Sequence, residues 1–260
     1  MEKLYIIKIG GNIIDDENKL SSFLQSFASV AGKKILVHGG GKLATSMAEA
    51  MGIPQQLKEG RRITDAETLK VVTMVYAGYI NKNIVAKLQA AGCNAIGLTG
   101  ADGNLVSAHK RNHPAVDYGF VGDVDEVNSS LLDLLLQQKM IPVIAPLTHD
   151  RHTLLNTNAD TIGQETAKAM SRIYEVSLIY CFEKSGVLSD ASDDSSAIKQ
   201  ISGDLYSELK NQKTISAGMV PKLDNAFEAL NAGVQHISIG HADDLLQLID
   251  QQSGTSIVHE

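Results

Sequence analysis

Compact apolar runs alternate with segments of helical periodicity along most of the chain. Such runs predict strands that are buried on both faces, and they fall at residues 4–9, 34–37, 94–98, 141–147, 176–182, 234–239 and 256–258. Apolar residues at helical spacing predict helices over residues 15–30, 42–51, 65–91, 129–139, 158–171, 203–211, 218–232 and 243–251. This alternation requires crossover connections. We therefore predict an α/β fold with a largely parallel sheet covered by helices on both faces.

Two polar stretches interrupt the alternation. Residues 99–125 hold an Asp102-Gly103 turn signal between alternating residues, which predicts β-hairpins. Residues 58–64 contain two arginines and are typical of a loop or hairpin.

The clearest candidate boundary lies near residue 173, where a predicted helix ends and a predicted strand begins. The boundary lacks the Pro-, Gly- or Ser-rich composition of a linker. We therefore expect two lobes, residues 1–173 and 174–260, that share one sheet.

The composition excludes several classes of protein. Of 260 residues, 43% are hydrophobic and 20% are charged, which excludes a disordered chain. A formal net charge of −7 disfavours a nucleic-acid partner. No apolar run approaches the ~20 residues that span a bilayer, and the N-terminus lacks a signal-peptide pattern. Because Cys93 and Cys181 alone make no disulfide framework, we expect a cytoplasmic protein with no membrane partner.

Glycine clusters follow the first two predicted strands. Gly10-Gly11 ends one strand and Gly39-Gly40-Gly41 ends the next. Consecutive glycines let backbone N–H groups surround an anion at the carboxyl edge of a sheet, so two neighbouring clusters favour phosphate or carboxylate binding. The Walker A pattern is absent. The dinucleotide fingerprint is matched only weakly, ending in Ala44, which leaves a nicotinamide dehydrogenase as an alternative from fold alone.

Several polar residues stand in unexpected places. Lys8 lies inside an apolar strand, and a buried lysine needs an anionic partner. Asn156, Asn158 and Asp160 precede a predicted helix, where one cap residue suffices, so part of this segment is free to bind a ligand. Arg62 is a candidate for bidentate binding of a carboxylate. The histidine pairs at 109/113 and 149/152 lack Cys or Glu neighbours, and we expect no metal site there.

Five segments together resemble the ordered motifs of the amino acid kinase family. They are Lys8-Ile9-Gly10-Gly11, Val37-His38-Gly39-Gly40-Gly41, Gly60-Arg61-Arg62-Ile63-Thr64, Asn156-Thr157-Asn158-Ala159-Asp160 and Gly218-Met219-Val220-Pro221-Lys222. Each motif is weak alone, but five in the same order and at compatible spacing are specific and span nearly the whole chain.

The resemblance implies an open αβα sandwich that phosphorylates the γ-carboxylate of N-acetyl-L-glutamate with ATP, a step of arginine biosynthesis. Residues 1–173 are then expected to bind the acylglutamate and to dimerise, and residues 174–260 to bind ATP. Mg²⁺ would be bound mainly by nucleotide phosphates and water. Phosphoryl transfer needs positive charge and positioning more than a nucleophilic side chain, which agrees with the candidate residues.

The resemblance also implies a role for each motif residue. Lys8 and Lys222 flank the transferred phosphoryl group, Asp160 positions both lysines, and Gly11 and Gly40 donate backbone N–H groups. The implied substrate-binding residues are Gly40, Gly41, Arg62, Asn156 and Asn158. The implied nucleotide-binding residues are Lys8, Gly10, Gly11, Glu183, Ser185, Gly186 and Lys222.

Two departures from the family pattern lie on the nucleotide side. Glu183 stands where Asp is usual, and Ala217 replaces the first Gly of a usual Gly-Gly-Met. The motifs contact glutamate and phosphate and not the acyl tail, so N-succinylglutamate remains an alternative substrate. Kinases of the same family that act on carbamate, glutamate, aspartate or UMP are further alternatives, as is a non-catalytic ligand-sensing module.

The predicted helix over 65–91 carries an apolar stripe that bears on assembly. The stripe comprises Leu69, Val72, Tyr76, Ile80, Ile84 and Leu88. In the resembling family the equivalent helix pairs across a two-fold axis, so we expect the stripe to form a homodimer interface. Arginine-inhibited hexameric relatives carry an extra N-terminal helix. The first predicted strand begins near residue 4, so we expect a dimer that arginine does not inhibit.

Overall fold

A computed structural model describes residues 1–58, 61–212, 214–215 and 218–259. An eight-stranded sheet runs through the molecule in the order β12-β14-β13-β11-β1-β2-β8-β5. Its strands are β1 (Lys3–Ile9), β2 (Lys33–His38), β5 (Ala95–Leu98), β8 (Ile141–Ile144), β11 (Glu175–Phe182), β12 (Gln200–Ile201), β13 (His236–His241) and β14 (Thr255–Ile257). Among the described strand pairs of this sheet, β13–β14 is antiparallel and the others are parallel.

Helices cover both faces of this sheet, as predicted. They are α1 (Gly11–Ile14), α2 (Glu17–Ser29), α3 (Gly41–Ala50), α4 (Ala66–Thr73), α5 (Asn81–Ala90), α6 (Ser129–Gln137), α7 (Ala159–Met170), α8 (Gly203–Asn211), α9 (Val220–Asn231) and α10 (Leu245–Ile249). The open αβα sandwich is thereby confirmed. None of the described helices is long and apolar enough to cross a bilayer.

Strand β1 lies at the centre of the sheet, between β2 and β11. Its side chains alternate between two buried cores: Leu4 and Ile6 pack on one face, Ile7 and Ile9 on the other. Lys8 shares the face of Leu4 and Ile6 because strand side chains alternate with a period of two. The central position of Lys8, predicted from the apolar strand around it, is confirmed.

A smaller sheet and a hairpin lie beside the central sheet. The small sheet has the order β10-β9-β6-β7, and the hairpin pairs β3 with β4. These strands are β3 (Gln56–Lys58), β4 (Arg61–Ile63), β6 (Val106–Lys110), β7 (Gly122–Val127), β9 (Leu147–His149) and β10 (Leu154–Asn156). The hairpins predicted in 58–64 and 99–125 are present. However, the Asp102-Gly103 signal marks a 3₁₀ turn before β6 and not the hairpin connection itself.

The long helix predicted over 65–91 is continuous but contains a π-helical segment, Met74–Ile80, between α4 and α5. The assignment of its apolar stripe to a dimer interface is wrong. Val72, Tyr76, Ile80 and Ile84 are at most 5% exposed within one chain and belong to the core against the sheet. Helical periodicity reveals an apolar face, but it does not distinguish the protein's own sheet from a second copy.

Lys34 is buried for a structural reason. Its Nζ donates hydrogen bonds to the carbonyls of Phe27, Ala28 and Val30 at 2.7–2.9 Å, at the C-terminus of α2. The Phe27 carbonyl also accepts from the Val30 N–H, whereas the Ala28 and Val30 carbonyls at the helix end have no intrahelical donor among the described hydrogen bonds. Burial lowers the pKa of Lys34, with a nearby cysteine, Cys93, opposing that shift.

We expect Lys34→Met to lower the free energy of unfolding by about 2–3 kcal/mol, because it leaves buried carbonyls without a donor. Urea denaturation measures this directly. The exposed Lys70→Met on α4 is the control and should change stability by about 0.5 kcal/mol or less. Equal stability of the two variants would contradict the capping role of Lys34.

Candidate active site

Two lysines and one aspartate meet at the carboxyl edge of the central sheet. Lys8 is the penultimate residue of β1, Lys222 lies in the first turn of α9, and Asp160 lies in the first turn of α7. The Nζ of Lys8 is 2.7 Å from Oδ1 of Asp160, and the Nζ of Lys222 is 3.4 Å from Oδ2. Asp160 therefore holds both ammonium groups at one site, as the resemblance implied.

Burial strengthens the electrostatic interactions between the two lysines and Asp160. The side chains of Lys8, Lys222 and Asp160 are only 9%, 12% and 19% exposed. Burial alone would raise the pKa of Asp160, but the charges of Lys222 and Lys8 outweigh it and hold that pKa well below its ordinary value. Burial and the charge of Lys8 lower the pKa of Lys222, while Asp160 opposes the shift. One carboxylate between two lysines leaves a net positive charge, which suits a phosphoryl group.

The residues that surround the cluster restrict the positions of the two lysine side chains. The ammonium of Lys222 lies 5.4 Å from the ring centre of Tyr180 and 5.3 Å from that of Phe182, within range of cation–π attraction. Gly163 in α7 brings the helix close to Lys8, because a Cβ there would lie 3.6 Å from the Lys8 Cβ. The two lysines reach different carboxylate oxygens of Asp160, Lys8 from a strand and Lys222 from a helix.

The two glycine clusters are in contact. Gly11 begins α1 and Gly41 begins α3, so both helices present unpaired N–H groups. A Cβ on Gly39 would lie 3.6 Å from the Gly11 nitrogen, and one on Gly11 would lie 3.9 Å from the Gly41 nitrogen. Gly10 donates to the Cys181 carbonyl and Gly39 to the Ile9 carbonyl, so the sheet positions both clusters.

Position 40 requires glycine for two reasons, its backbone conformation and the lack of space for a side chain. Its φ of +147° is a value that residues with a Cβ rarely adopt. A Cβ there would lie 2.3 Å from Cδ1 of Ile80 and 3.2 Å from a ring carbon of Tyr76. Ile80 and Tyr76 both belong to the π-helical segment, and π-bulges are frequent at functional sites. The wide turn thus places two large side chains directly beneath the glycine loop.

A cavity of about 400 Å³ opens beside the glycine loop, on the side of the N-terminal lobe. Gly40, Gly41 and Arg62 line it, as predicted for substrate-binding residues. The guanidinium of Arg62 donates to the Gly41 carbonyl at 2.8 Å and to the Thr45 hydroxyl at 2.7 Å, and it also contacts Gln55. All three partners are neutral, so the charge of Arg62 is not compensated by these contacts. A substrate carboxylate would compensate it.

Asn156 and Asn158 line the same cavity but are anchored differently. The amide of Asn156 donates to the Thr64 hydroxyl at 3.0 Å. The side-chain oxygen of Asn158 accepts from the backbone N–H of Asp160 at 2.7 Å, which caps α7. Asn158 therefore fills the helix-capping role that the sequence left open, and through this cap it sets the position of Asp160. Asn156 retains its side-chain oxygen for a ligand.

A second cavity, of about 370 Å³, lies on the side of the C-terminal lobe. It is lined by Lys8, Gly10, Phe182, Glu183, Lys184, Gly186, Val187, Leu188, Ala191, Ile215, Gly218, Met219 and Lys222. Five of the predicted nucleotide-binding residues are therefore brought together here. The structure does not place Ser185 in this cavity: its hydroxyl donates to the Asp194 carbonyl, and it lines a different, polar cavity. Gly60 and Ala217 lie outside the described residues.

Three residues at the site escaped sequence reasoning. Arg111 lines the 400 Å³ cavity and forms an ion pair with Asp123 across the β6–β7 hairpin. Tyr76 lines the same cavity, although its spacing on the helix assigned it to an interface stripe. His38 lies beneath the glycine loop, fully buried. For Arg111 no sequence signal was available, because its partner is found only through hairpin register.

The buried His38 gives a pH-dependent prediction. Burial lowers its pKa to about 4 from an ordinary value of 6.5, against an opposing hydrogen bond to Gly39, while Lys82 adds to the lowering. Between pH 6.5 and 4 the unfolded chain binds a proton at this position and the folded chain does not. Stability that is present at pH 7 is therefore lost as the pH falls. From pH 7 to 5 we expect this group to remove about 2 kcal/mol.

Urea denaturation at both pH values tests this expectation, with His38→Asn as the reference because asparagine does not titrate. The wild type should lose about 2 kcal/mol more than the variant. Equal losses would mean that His38 does not resist protonation in the folded state.

Comparisons with known proteins agree with the geometry. Residues 3–241 match the model of the amino acid kinase family. The chain is similar to proteins named acetylglutamate kinase from Cytophaga hutchinsonii, at 56% identity over 99% of both chains, and from Phocaeicola vulgatus, at 54% identity over 98% of both.

Solved structures share the fold. The structure of smu.665 from Streptococcus mutans has a TM-score of 0.82 at 27% identity and covers 98% of each chain. Carbamate kinase from Giardia lamblia bound to AMP-PNP has a TM-score of 0.72 at 13% identity, which shows the fold alone. On the family match and the full-length relatives, the chain belongs to the amino acid kinase family.

Proposed function

We propose that the protein catalyses ATP-dependent phosphorylation of the γ-carboxylate of N-acetyl-L-glutamate, giving N-acetylglutamyl 5-phosphate for arginine biosynthesis. The observation that carries the proposal is the junction of the two cavities. The 400 Å³ cavity reaches Gly39 and the 370 Å³ cavity reaches Gly10, and a Cβ added to Gly39 would lie only 3.6 Å from the Gly11 nitrogen. An acceptor and a nucleotide bound in these cavities would meet between the glycine clusters, beside the two lysines.

The residues present suit in-line transfer between two anions. The γ-carboxylate attacks the γ-phosphorus of ATP, the P–O bond to ADP breaks, and the phosphoryl group moves to the carboxylate oxygen. Lys8 and Lys222 stabilise charge on the phosphoryl oxygens, and N–H groups of Gly11 and Gly40 add hydrogen bonds. No general base is needed because a carboxylate is ionised near pH 7. Asp160, held between two ammonium groups, orients them and is not free to act as a base.

ATP is the phosphoryl donor that membership of this kinase family implies. Mg²⁺ when bound would neutralise phosphate charge, and its oxygen ligands would be chiefly nucleotide phosphates and water. Among the described residues no three His, Cys, Asp or Glu side chains cluster to hold a metal. Glu183 belongs to the predicted nucleotide motif and lines the 370 Å³ cavity, where its carboxylate suits an outer contact to a hydrated ion.

The lining of the two cavities supports a separate binding function for each lobe. We assign acylglutamate binding to residues 1–173 and ATP binding to residues 174–260. Lys8 and Gly10 are the exceptions, since they reach the nucleotide cavity from the first strand. ATP-dependent biosynthetic chemistry and two free buried cysteines, Cys93 and Cys181, support a cytoplasmic location.

An ADP-release assay with matched acceptors tests the proposed function. N-acetyl-L-glutamate should be turned over with the highest kcat/KM, and N-succinyl-L-glutamate and free L-glutamate should be poorer. Carbamate, aspartate and UMP serve as acceptors of the sibling kinases and should give no ADP above background. Faster turnover of any other acceptor would overturn the substrate assignment, and absence of turnover with all of them would favour a ligand-sensing module.

We further propose a homodimer, through a surface different from the buried stripe. The α3 helix packs along α4 and the π-helical segment, and exposed apolar side chains project from these neighbours. Met47, Met51, Met74 and Tyr79 are 46%, 55%, 54% and 66% exposed. An isologous contact would bury them in both copies at once.

Light scattering should give twice the 27.9 kDa chain mass. Met74→Glu should give the monomer, because it would bury a charge on each side of the contact. Leu134→Glu, at an equally exposed apolar position on α6, should remain dimeric. A monomeric wild type, or a Leu134 variant that dissociates equally, would contradict this surface.

A further inference from the structure

His38 belongs to a buried polar network directly beneath the glycine loop. It is the last residue of β2, pairs in register with Ile9, and is 0% exposed. Its Nδ1 lies 2.8 Å from the Gly39 carbonyl oxygen, and its Nε2 lies 3.1 Å from Nδ2 of Asn81. A histidine ring in an apolar core needs partners for both nitrogens, and both partners here are defined.

The network fixes which nitrogen of His38 holds the proton. Lys82 can only donate, and its Nζ donates to Oδ1 of Asn81 at 3.1 Å and to the Gly97 carbonyl at 2.9 Å. The Asn81 amide group therefore faces His38 and the Val143 carbonyl, to which it donates at 3.0 Å. Since Asn81 donates to Nε2, that nitrogen is the acceptor, and Nδ1 carries the proton that it donates to Gly39.

The bond to Gly39 determines the direction of the next N–H group. In a planar trans peptide the carbonyl and the following N–H point in opposite directions. With the Gly39 carbonyl turned down toward His38, the Gly40 N–H is turned away from the core, toward the cavity that Gly40 lines. Within the described part of the chain this N–H makes no hydrogen bond, so it remains available to a ligand.

Glycine alone does not determine this orientation. Residues 39–41 are all glycine, and glycine populates many backbone conformations. A flipped Gly39–Gly40 peptide would direct the Gly39 carbonyl toward the site, where its partial negative charge would repel a phosphoryl oxygen. A buried donor on one side of the peptide therefore selects an anion-binding loop over an anion-repelling one.

We propose that His38 is a positioning residue for phosphoryl transfer, which holds the Gly39–Gly40 peptide so that the Gly40 N–H points at the transferred group. This inference rests on the proposed function for the identity of the reaction. The role of His38 is exerted through Gly40, since its side chain lies beneath the loop and does not line either cavity.

Two substitutions separate positioning from packing. In His38→Asn the side-chain amide nitrogen is the same number of bonds from the backbone as Nδ1, so the donor to Gly39 is kept. In His38→Gln the amide reaches the position of Nε2 instead, so contact with Asn81 is kept and the donor is lost. Ile84→Ala, one turn along α5 from Asn81, is the control that destabilises the same core without touching the loop.

Positioning predicts that His38→Gln lowers kcat at least roughly tenfold, because the peptide then spends most of its time in the wrong orientation. The KM values for both substrates should change less than kcat. His38→Asn should recover kcat to within about threefold, and Ile84→Ala should lower the unfolding midpoint while leaving kcat unchanged. Wild-type kcat in a folded His38→Gln, or equal losses in the Asn and Gln variants, would overturn the proposal.

Crystal structures of the wild type and both variants provide a readout that does not depend on activity. Gly40 should keep its φ near +147° in the wild type and in His38→Asn, and the peptide should be flipped or mixed in His38→Gln. An unchanged peptide in His38→Gln contradicts the positioning role even if the enzyme phosphorylates a different acceptor. Failure of the wild type to phosphorylate N-acetylglutamate would contradict the proposed function. The orientation of the Gly39–Gly40 peptide in the crystal structures would still test the role of His38.

Discussion

Replacing Lys8 or Lys222 with alanine is expected to lower kcat by on the order of 100-fold or more, comparable to removing one oxyanion donor. Both ammonium groups are buried and bound to Asp160. A water molecule that entered the space of a deleted lysine side chain would not replace its positive charge. Removal of one lysine also leaves Asp160 and the other lysine as a neutral pair, which no longer attracts a phosphoryl group. Steady-state kinetics with saturating ATP and acylglutamate measure the effect.

The matched control is Lys34→Met, at another buried lysine that binds only backbone carbonyls. That variant should lose stability and keep kcat, so a general cost of deleting a buried lysine is separated from catalysis. Lys8→Arg should be nearly as impaired as Lys8→Ala, because a planar guanidinium does not replace a compact ammonium beside α7. Near-normal turnover in Lys8→Ala would refute the assigned mechanism.

Arg62→Ala is expected to raise the KM for N-acetylglutamate by roughly 10- to 100-fold, the range of a lost hydrogen bond to a charged group, while the KM for ATP stays nearly constant. Arg62 lines the 400 Å³ cavity and not the 370 Å³ cavity, and we propose that it binds the substrate carboxylate that does not react. The lost interaction is therefore common to ground and transition states, and kcat should change little. The two KM values are measured separately by varying one substrate, ATP or N-acetylglutamate, while the other is kept at a saturating concentration.

Arg172→Ala is the control for Arg62, because Arg172 is exposed in the turn after α7 and lines neither cavity. It should leave both KM values unchanged. An equal rise in both KM values for Arg62→Ala would place its action outside the acceptor cavity.

The features that depend on neighbouring residues in the sequence, namely strand burial, helix capping and the positions of the glycine turns, were predicted from the sequence. The strand around Lys8 is apolar on both faces, so its burial and central position followed from alternation alone. The Asn156–Asp160 segment was predicted both to cap a helix and to bind ligand. The structure shows that Asn158 is the cap and that Asn156 and Asn158 both line the 400 Å³ cavity, while ligand binding stays a prediction. The glycine clusters were predicted to adjoin because parallel strands end at one edge.

Features set by long-range contacts were missed or misassigned. Tyr76 and Ile80 matched a helical stripe, but a π-helical segment turns them under Gly40, and no periodicity reveals that widening. Ser185 lies next to Gly186 in sequence, yet its hydroxyl donates to the backbone carbonyl of Asp194 and does not enter the nucleotide cavity. The surroundings of Arg111 depend on the register between β6 and β7, which a single sequence does not specify.

We propose that this site transfers a phosphoryl group from ATP to the γ-carboxylate of N-acetyl-L-glutamate. The most direct test is to run the wild-type reaction with hydroxylamine, which converts an acyl phosphate to a hydroxamate, and to identify the product by mass spectrometry. We expect N-acetylglutamyl γ-hydroxamate in amounts equal to ADP released, dependent on ATP, and formed on the order of 100-fold more slowly or less in Lys8→Ala. Release of ADP without hydroxamate, or hydroxamate formation in Lys8→Ala at a rate near that of the wild type, would contradict this proposal.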